Sequence, residues 1–132
     1  MKKNKIVILG GGESGIGTAI LGKKEGFEVF VSDYGKIKKK YKQVLLHHEI
    51  NWEEEAHSET KILSAGIVMK SPGIPENTPV VLKLKKKGIR IVSEIEFAAT
   101  YTSATLIGIT GSNGKTTVAT MIHKILKDAG NN

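Results

Sequence analysis

A continuous apolar run that ends in a glycine-rich turn constrains the fold more than any other feature of this sequence. Lys5–Leu9 has the sequence KIVIL, and the turn after it, residues 10–15, has glycines in the G-x-G-x-x-G spacing. A strand without polar alternation is typical of a parallel sheet that is covered on both faces. A helix-like segment then continues to Gly26, and a second apolar run ends at Asp33. This order predicts a β-α-β unit in which the turn and the helix start hold phosphate groups.

The same alternation of strand-like and helix-like segments continues to about residue 100. Further strand-like runs lie at residues 46–51, 67–70 and 89–92. Trp52 and the three glutamates that follow it are predicted to begin a helix, because acidic residues suit the first turn. We therefore expect an α/β fold with a Rossmann-like parallel sheet flanked by helices.

A second glycine-rich turn lies close to the end of the chain. Residues 106–110 are predicted to form a strand, and Lys115-Thr116-Thr117 follows glycines 108, 111 and 114 at the start of a predicted helix. Such a turn places backbone N–H groups around a phosphate, with the lysine near the β- and γ-phosphates and the hydroxyl of Thr116 near a magnesium ion. The strict P-loop pattern has glycine where this chain has Ile109. We predict the first βα unit of a P-loop ATPase domain.

The loop after the 67–70 run also points to a ligand. Ser71-Pro72-Gly73 follows the predicted strand directly. In open α/β sheets, ligands bind outside the carboxyl ends of the strands. Ser71 is thus a candidate donor to a phosphate, although an ordinary turn would have the same composition.

Length limits the number of domains. A chain of 132 residues has room for one ordinary domain and part of another. We predict an N-terminal domain over residues 1–103 and the start of a second over residues 104–132, with the second cut short because only one helix follows its phosphate loop.

Composition narrows the classes of function. The chain has no cysteine, which excludes disulfides and thiolate metal sites and is compatible with the cytoplasm, where we expect the protein. Its net charge is +7, yet aromatic residues make up only 5%, so solvated helix faces or small anionic substrates explain the lysines better than nucleic acid does. No apolar run approaches the length of a membrane span. His47, His48 and His57 do not have the spacing of a zinc site.

Taken together, these motifs resemble the ATP-dependent Mur ligases of peptidoglycan synthesis. The resemblance is carried by Gly111-Ser112-Asn113-Gly114-Lys115-Thr116-Thr117 and by the Rossmann-like segment before it with its Ser71-Pro72-Gly73 loop. It extends over essentially the whole chain but over only about the first third of such an enzyme, and within the family it is strongest to the members that add D-glutamate.

The resemblance implies a set of ligands and site residues. The substrates would be UDP-N-acetylmuramoyl-L-alanine, D-glutamate and ATP with Mg²⁺, and the product would form through an acyl phosphate. Lys115 and Thr116 would act in catalysis, and Thr116 would bind the magnesium ion. The residues implied to bind the UDP moiety are Gly12, Glu13, Ser14, Gly15, Asp33, Ser71, Pro72 and Gly73. The residues implied to bind ATP are Gly111, Ser112, Asn113, Gly114, Lys115, Thr116 and Thr117. The 132 residues alone are expected to be inactive.

Other functions remain open at this point. An NAD(P)-binding oxidoreductase domain would use the first glycine turn and Asp33 but would leave Lys115 without a role. Another Mur-type or a folylpolyglutamate-type ligase shares the second loop, and a uridine-nucleotide sensor without catalytic activity would share the first domain. The amino acid that is added and the oligomeric state are not determined by the motifs.

Overall fold

A computed structural model describes residues 4–130 of the chain. The strands are β1 (Lys5–Leu9), β2 (Glu28–Ser32), β3 (Asn51–Glu53), β4 (Ile67–Lys70) and β5 (Arg90–Val92). The helices are α1 (Glu13–Lys24), α2 (Lys39–His47), α3 (Glu59–Ile62), α4 (Pro79–Lys86), α5 (Glu94–Ala99) and α6 (Lys115–Asp128).

The five strands form one parallel sheet in the order β3-β2-β1-β4-β5. The order reverses between β1 and β4, because the chain builds one half of the sheet outward from β1 and then returns to the other side. Val7 on β1 is aligned with Phe30 on β2 and with Val68 on β4, so the central strand is paired along both edges. The predicted Rossmann-like α/β fold is confirmed.

Both faces of the sheet are covered, as the apolar run of β1 predicts. Ile6 and Ile8 face a cluster that includes Phe97 of α5, whereas Val7 and Leu9 face a cluster that includes Leu84 of α4. Successive side chains of a strand point to opposite faces, so a strand between two helical layers needs apolar residues at every position.

The segment after α2 differs from its prediction. The third strand lies at Asn51–Glu53 rather than at residues 46–51, and Trp52 belongs to this strand rather than to a helix. Glu53 and Glu54 do not begin a helix either, because their carboxylates accept hydrogen bonds from Ser32 and from the backbone of Ile37. Contacts with neighbouring elements have overridden the local helix preference.

The chain divides into two compact units, residues 1–102 and 103–132. In the second unit the predicted helix is present as α6, but residues 106–110 do not form the predicted strand. A strand exists only through hydrogen bonds to a neighbouring strand, and the five strands of the described sheet all lie between residues 5 and 92. Within residues 4–130, no helix combines the length and the apolar character that crossing a bilayer requires.

A close backbone contact fixes the start of α1. A Cβ atom added at Gly15 would lie 1.9 Å from the carbonyl oxygen of Gly10, well inside contact distance. Gly17 lies two residues further along the same helix, is exposed, and has open space where its Cβ would be.

These two glycines make a matched pair for mutation. We expect Gly15→Ala to lower the free energy of unfolding by about 1–3 kcal/mol, because the turn must move away from the helix. Gly17→Ala should instead raise it by about 0.5–1 kcal/mol through the higher helix propensity of alanine. Urea unfolding followed by circular dichroism measures both, and equal effects at the two positions would contradict the assigned contact.

Candidate functional site

A cleft of about 640 Å³ opens at the carboxyl ends of the strands, at the point where the strand order reverses. Four strands contribute the loops around it, and the start of α4 completes its wall. The lining residues are Gly10, Gly12, Asp33, Tyr34, His57, Glu59, Ser71, Gly73, Ile74, Pro75, Thr78, Pro79 and Val80. In open α/β sheets this is the position at which ligands bind.

Asp33 connects the ends of β1 and β2. Its Oδ2 atom accepts a hydrogen bond of 2.6 Å from the N–H of Gly11, and its Oδ1 atom accepts one of 2.7 Å from the N–H of Gly35. The resemblance to Mur ligases implies that this carboxylate binds the UDP moiety. In the structure the carboxylate also holds the turns after β1 and β2 together, and each oxygen still has a lone pair for a further donor.

The start of α1 borders the cleft. Gly12 is the N-cap residue, its side-chain position is open, and no side chain caps the helix there. The first N–H groups of an α-helix have no acceptor within the helix, so they are available to an anion. Glu13 and Ser14 are exposed in this first turn, whereas Gly15 is buried against the backbone of Gly10.

A smaller cleft of about 330 Å³ shares Gly12 and Asp33 with the main one. Its other lining residues are Gly11, Glu13, Lys36, Lys38 and Tyr41. Two lysines thus lie near the glycine turn, where they add positive potential next to the start of α1.

The loop after β4 is held by a nearly buried lysine. The Nζ atom of Lys70 donates a hydrogen bond of 2.8 Å to the carbonyl oxygen of Ile74 and forms an ion pair of 3.0 Å with Glu76. Lys85 and Lys70 donate hydrogen bonds to Glu76, which lowers the pKa of that carboxyl group. Lys70 fixes the loop that carries Ser71 and Gly73 into the cleft, while Pro72 is exposed in the same loop outside the cleft lining.

The loop after β3 is held by two glutamates. Glu54 accepts hydrogen bonds from the side chain of Lys42 and from the N–H of Ile37 at 2.8 Å, and these bonds lower the pKa of Glu54. Glu53 accepts from the hydroxyl of Ser32 and from the N–H of Ser58, both at 2.7 Å. Burial raises the pKa of Glu53, but the bonds from Ser58 and Ser32 and the charge of Lys61 outweigh it and leave the pKa below its ordinary value.

Several residues of the cleft are absent from the predicted binding set, among them Tyr34 and His57. Tyr34 follows Asp33 and is 77% exposed, and its ring centre lies 5.7 Å from that of His57. His57 is anchored through its Nδ1 atom, 2.6 Å from the hydroxyl oxygen of Ser32. No sequence pattern identifies His57, because only the pairing of β2 with β3 brings its loop to the cleft. Within residues 4–130, no group of three or more histidine, aspartate or glutamate side chains is arranged so that it could hold a metal ion.

The second glycine turn lies in the other unit. Gly111 and Gly114 have φ angles of 147° and 77°, which favour glycine, and Gly114 is the N-cap of α6. The Nζ atom of Lys115 donates to the carbonyl oxygen of Gly111 and so closes the loop. Ser112, Asn113, Thr116 and Thr117 are exposed around it. The only carboxylate among residues 103–130, Asp128, lies at the opposite end of α6 from this loop, so Thr116 is the one predicted metal ligand here.

The strand order, the glycine turn and the position of the cleft, where the strand order reverses, define the class of protein. It is a Rossmann-like α/β domain that is followed in sequence by a second glycine-rich loop. Residues 5–80 match the MurD N-terminal domain family, and residues 109–132 match the Mur ligase middle domain family. The chain belongs to the MurD N-terminal domain family, so the resemblance to Mur ligases is confirmed.

Individual relatives agree with this assignment. The chain is 64% identical over 97% of its length to the UDP-N-acetylmuramoylalanine--D-glutamate ligase of Christiangramia forsetii, and 56% identical over 97% to that of Bacteroides fragilis. It spans 29% of the length of each. Among solved structures, a pseudomurein peptide ligase type C from Methanothermus fervidus matches 96% of the chain with a TM-score of 0.63 and 31% identity, and the match covers 26% of that protein.

The bonds to Glu53 predict a dependence of stability on pH. A carboxyl group whose pKa is lowered in the folded state contributes its full stability above its ordinary value of 4.5, and this contribution is lost as the pH falls through the folded value. We expect Glu53→Gln to lower the free energy of unfolding clearly at pH 7 and much less at pH 3. Denaturant unfolding at a series of pH values measures the difference.

Glu25→Gln serves as the control for this measurement, because it changes the net charge equally at an exposed position. A difference between wild type and Glu53→Gln that is the same at pH 7 and pH 3 would contradict the assigned role of Glu53.

Proposed function

We propose that this chain is the N-terminal part of an ATP-dependent ligase that adds D-glutamate to UDP-N-acetylmuramoyl-L-alanine in the cytoplasm. The observation that carries the proposal is the presence of two separate glycine-rich turns of the kind that can hold phosphate, at Gly10–Gly15 and Gly111–Thr117, in a member of the MurD N-terminal domain family. One nucleotide needs one such turn, so two turns support two phosphate-bearing substrates.

In this proposal the domain of residues 1–103 binds the UDP moiety in the 640 Å³ cleft. The diphosphate lies at Gly12 and the first turn of α1, where free N–H groups and the helix dipole favour negative charge. Asp33 and the turn after it face the uridine, and Ser71 and Gly73 close the opposite side. Glu13, Ser14, Gly15 and Pro72 complete the proposed set. The positions of Lys36 and Lys38 near the same turn support an anionic ligand.

The loop at residues 111–117 is proposed to bind ATP. The γ-phosphoryl group would pass to the carboxylate of the muramoyl-alanine substrate with release of ADP, and the amine of D-glutamate would then displace phosphate from the acyl phosphate to form the amide. Lys115 would leave the carbonyl of Gly111 and donate to phosphate oxygens, where negative charge builds up during transfer. Thr116 supplies a hydroxyl oxygen, a suitable ligand for Mg²⁺, which would neutralise phosphate charge when bound.

The first test compares nucleotides on the N-terminal cleft. UDP at about 100 times its Kd should stabilise the folded chain by about 2.7 kcal/mol, which is measured as a rise in Tm. NAD at the same concentration should give a smaller rise. Gly12→Leu should abolish the rise with UDP, because the new side chain occupies the approach to the helix start. It should lower the unliganded Tm by only a few degrees, because leucine is a poorer N-cap residue than glycine but its Cβ meets no atom within 4 Å.

Gly17→Leu, on the same helix but outside the described cleft lining, is the control and should keep the response to UDP. Stronger stabilisation by NAD than by any uridine nucleotide would favour the oxidoreductase instead.

The second test concerns catalysis by these 132 residues. Phosphoryl transfer requires both substrates to be held together, which accounts for about 7–11 kcal/mol of a barrier, and the one carboxylate of residues 103–130, Asp128, lies at the opposite end of α6 from Lys115. With UDP-N-acetylmuramoyl-L-alanine, D-glutamate, ATP and Mg²⁺, we expect phosphate release equal to that of Lys115→Ala. Turnover that depends on Lys115 would show that the chain is a complete catalyst.

A further inference from the structure

A line of hydrogen-bonded side chains runs from the interior of the sheet to the main cleft. Ser32, the last residue of β2, is fully buried. Its Oγ atom lies 2.7 Å from Oε1 of Glu53 and 2.6 Å from Nδ1 of His57. The imidazole of His57 is half-buried and lines the cleft.

The number of protons in this line fixes the tautomer of His57. The Ser32 hydroxyl has one proton, and Glu53, an ionised carboxylate that also accepts the Ser58 N–H, has none to give. A contact of 2.7 Å between two oxygen atoms needs a proton between them, so Ser32 donates to Glu53. The carbonyl oxygen of Ala56, at 3.3 Å, is only an alternative acceptor for the same proton. Nδ1 of His57 must then be the donor to Ser32.

The opposite edge of the neutral imidazole is therefore an acceptor. When Nδ1 carries the proton, Nε2 has a free lone pair. Within the described part of the chain, Nε2 has no hydrogen-bond partner, and the ring's other assigned neighbour is the ring of Tyr34. The structure thus offers a ligand an exposed aromatic surface beside a single, oriented acceptor.

We propose that His57 selects the base of the bound nucleotide by accepting the N3–H of uracil at Nε2. This proposal rests on the proposed binding of a UDP moiety and extends it from the diphosphate to the base. If the diphosphate lies at Gly12, the base can occupy the side of the cleft that is formed by the loops after β2 and β3. Tyr34 and His57 lie on that side. Cytosine has a lone pair at N3 in place of the N–H, so its N3 and Nε2 would face each other as two acceptors without a proton.

The magnitude follows from the cost of an acceptor left without a partner. Leaving a buried acceptor unpaired costs about 1–3 kcal/mol, which corresponds to a factor of roughly 5 to 150 in Kd. We expect UDP to bind roughly 5 to 150 times more tightly than CDP, as measured by isothermal titration calorimetry on the 132-residue chain.

Two variants separate the acceptor from the structural role of His57. His57→Asn keeps an N–H donor at the position of Nδ1 and so preserves the bond to Ser32, but it has no nitrogen at the position of Nε2. We expect this variant to bind UDP about as weakly as wild type binds CDP, with CDP affinity unchanged. Ser32→Ala changes no cleft residue but removes the group that fixes the tautomer, and it should reduce the ratio of UDP to CDP affinity in the same direction.

Long-range ¹H–¹⁵N NMR spectra provide a measurement that does not depend on the stability of the variants. In the free protein, Nδ1 of His57 should be protonated and Nε2 unprotonated, and UDP but not CDP should shift the Nε2 resonance. A ring with the proton on Nε2, or an unchanged UDP-to-CDP ratio in His57→Asn, would overturn the inference while leaving UDP binding intact. Failure of wild type to bind UDP at all would instead overturn the proposed function and the inference with it.

Discussion

The shape of the cleft depends most on the hydrogen bonds that the carboxylate of Asp33 accepts. Its two oxygens accept the N–H groups of Gly11, in the turn after β1, and of Gly35, in the turn after β2. The backbone of the same residue donates to the carbonyl oxygen of Glu53 and accepts from the N–H of Ala56. One residue therefore joins the loops of three neighbouring strands. Hydrogen bonds to an ionised carboxylate are stronger than those between neutral groups, which suits a site where irregular backbone must keep one shape.

Other loops beside the cleft are held in the same way, by a charged side chain that forms a hydrogen bond to the backbone of a loop. Lys70 binds the carbonyl oxygen of Ile74, and Glu54 binds the N–H of Ile37. Loops contain many backbone groups that the sheet does not pair, and these side chains satisfy some of them. A cleft that is rigid before a ligand arrives spends less binding free energy on ordering its own residues.

The second unit differs from the first because none of its described residues, 103–130, is buried. None of the residues of α6 is buried, and Met121 and Ile125 are 58% and 63% exposed. Residues 106–110 have the composition of a buried strand but do not form one. Most helices and strands gain their stability by packing an apolar face against other elements. The glycine turn between them nevertheless has its loop closed by Lys115, because that geometry depends only on local φ angles and one side chain.

The amino-acid sequence by itself determined the elements whose signals are local. The apolar run of β1 and the glycine spacing after it were predicted, and the structure contains both; the capping box of Ser93 with Glu96 has an equally local sequence signal. Periodicity, glycine and helix caps act within a few residues, so one sequence is enough to find them. The placement of β3, the dual task of Asp33 and the position of His57 beside Tyr34 were decided only by the tertiary structure. Each of these depends on hydrogen bonds between residues about 20 or more positions apart, such as Ser32 with Glu53 and His57. Such bonds exist only after the parallel strands have brought their carboxyl ends to the same edge of the sheet.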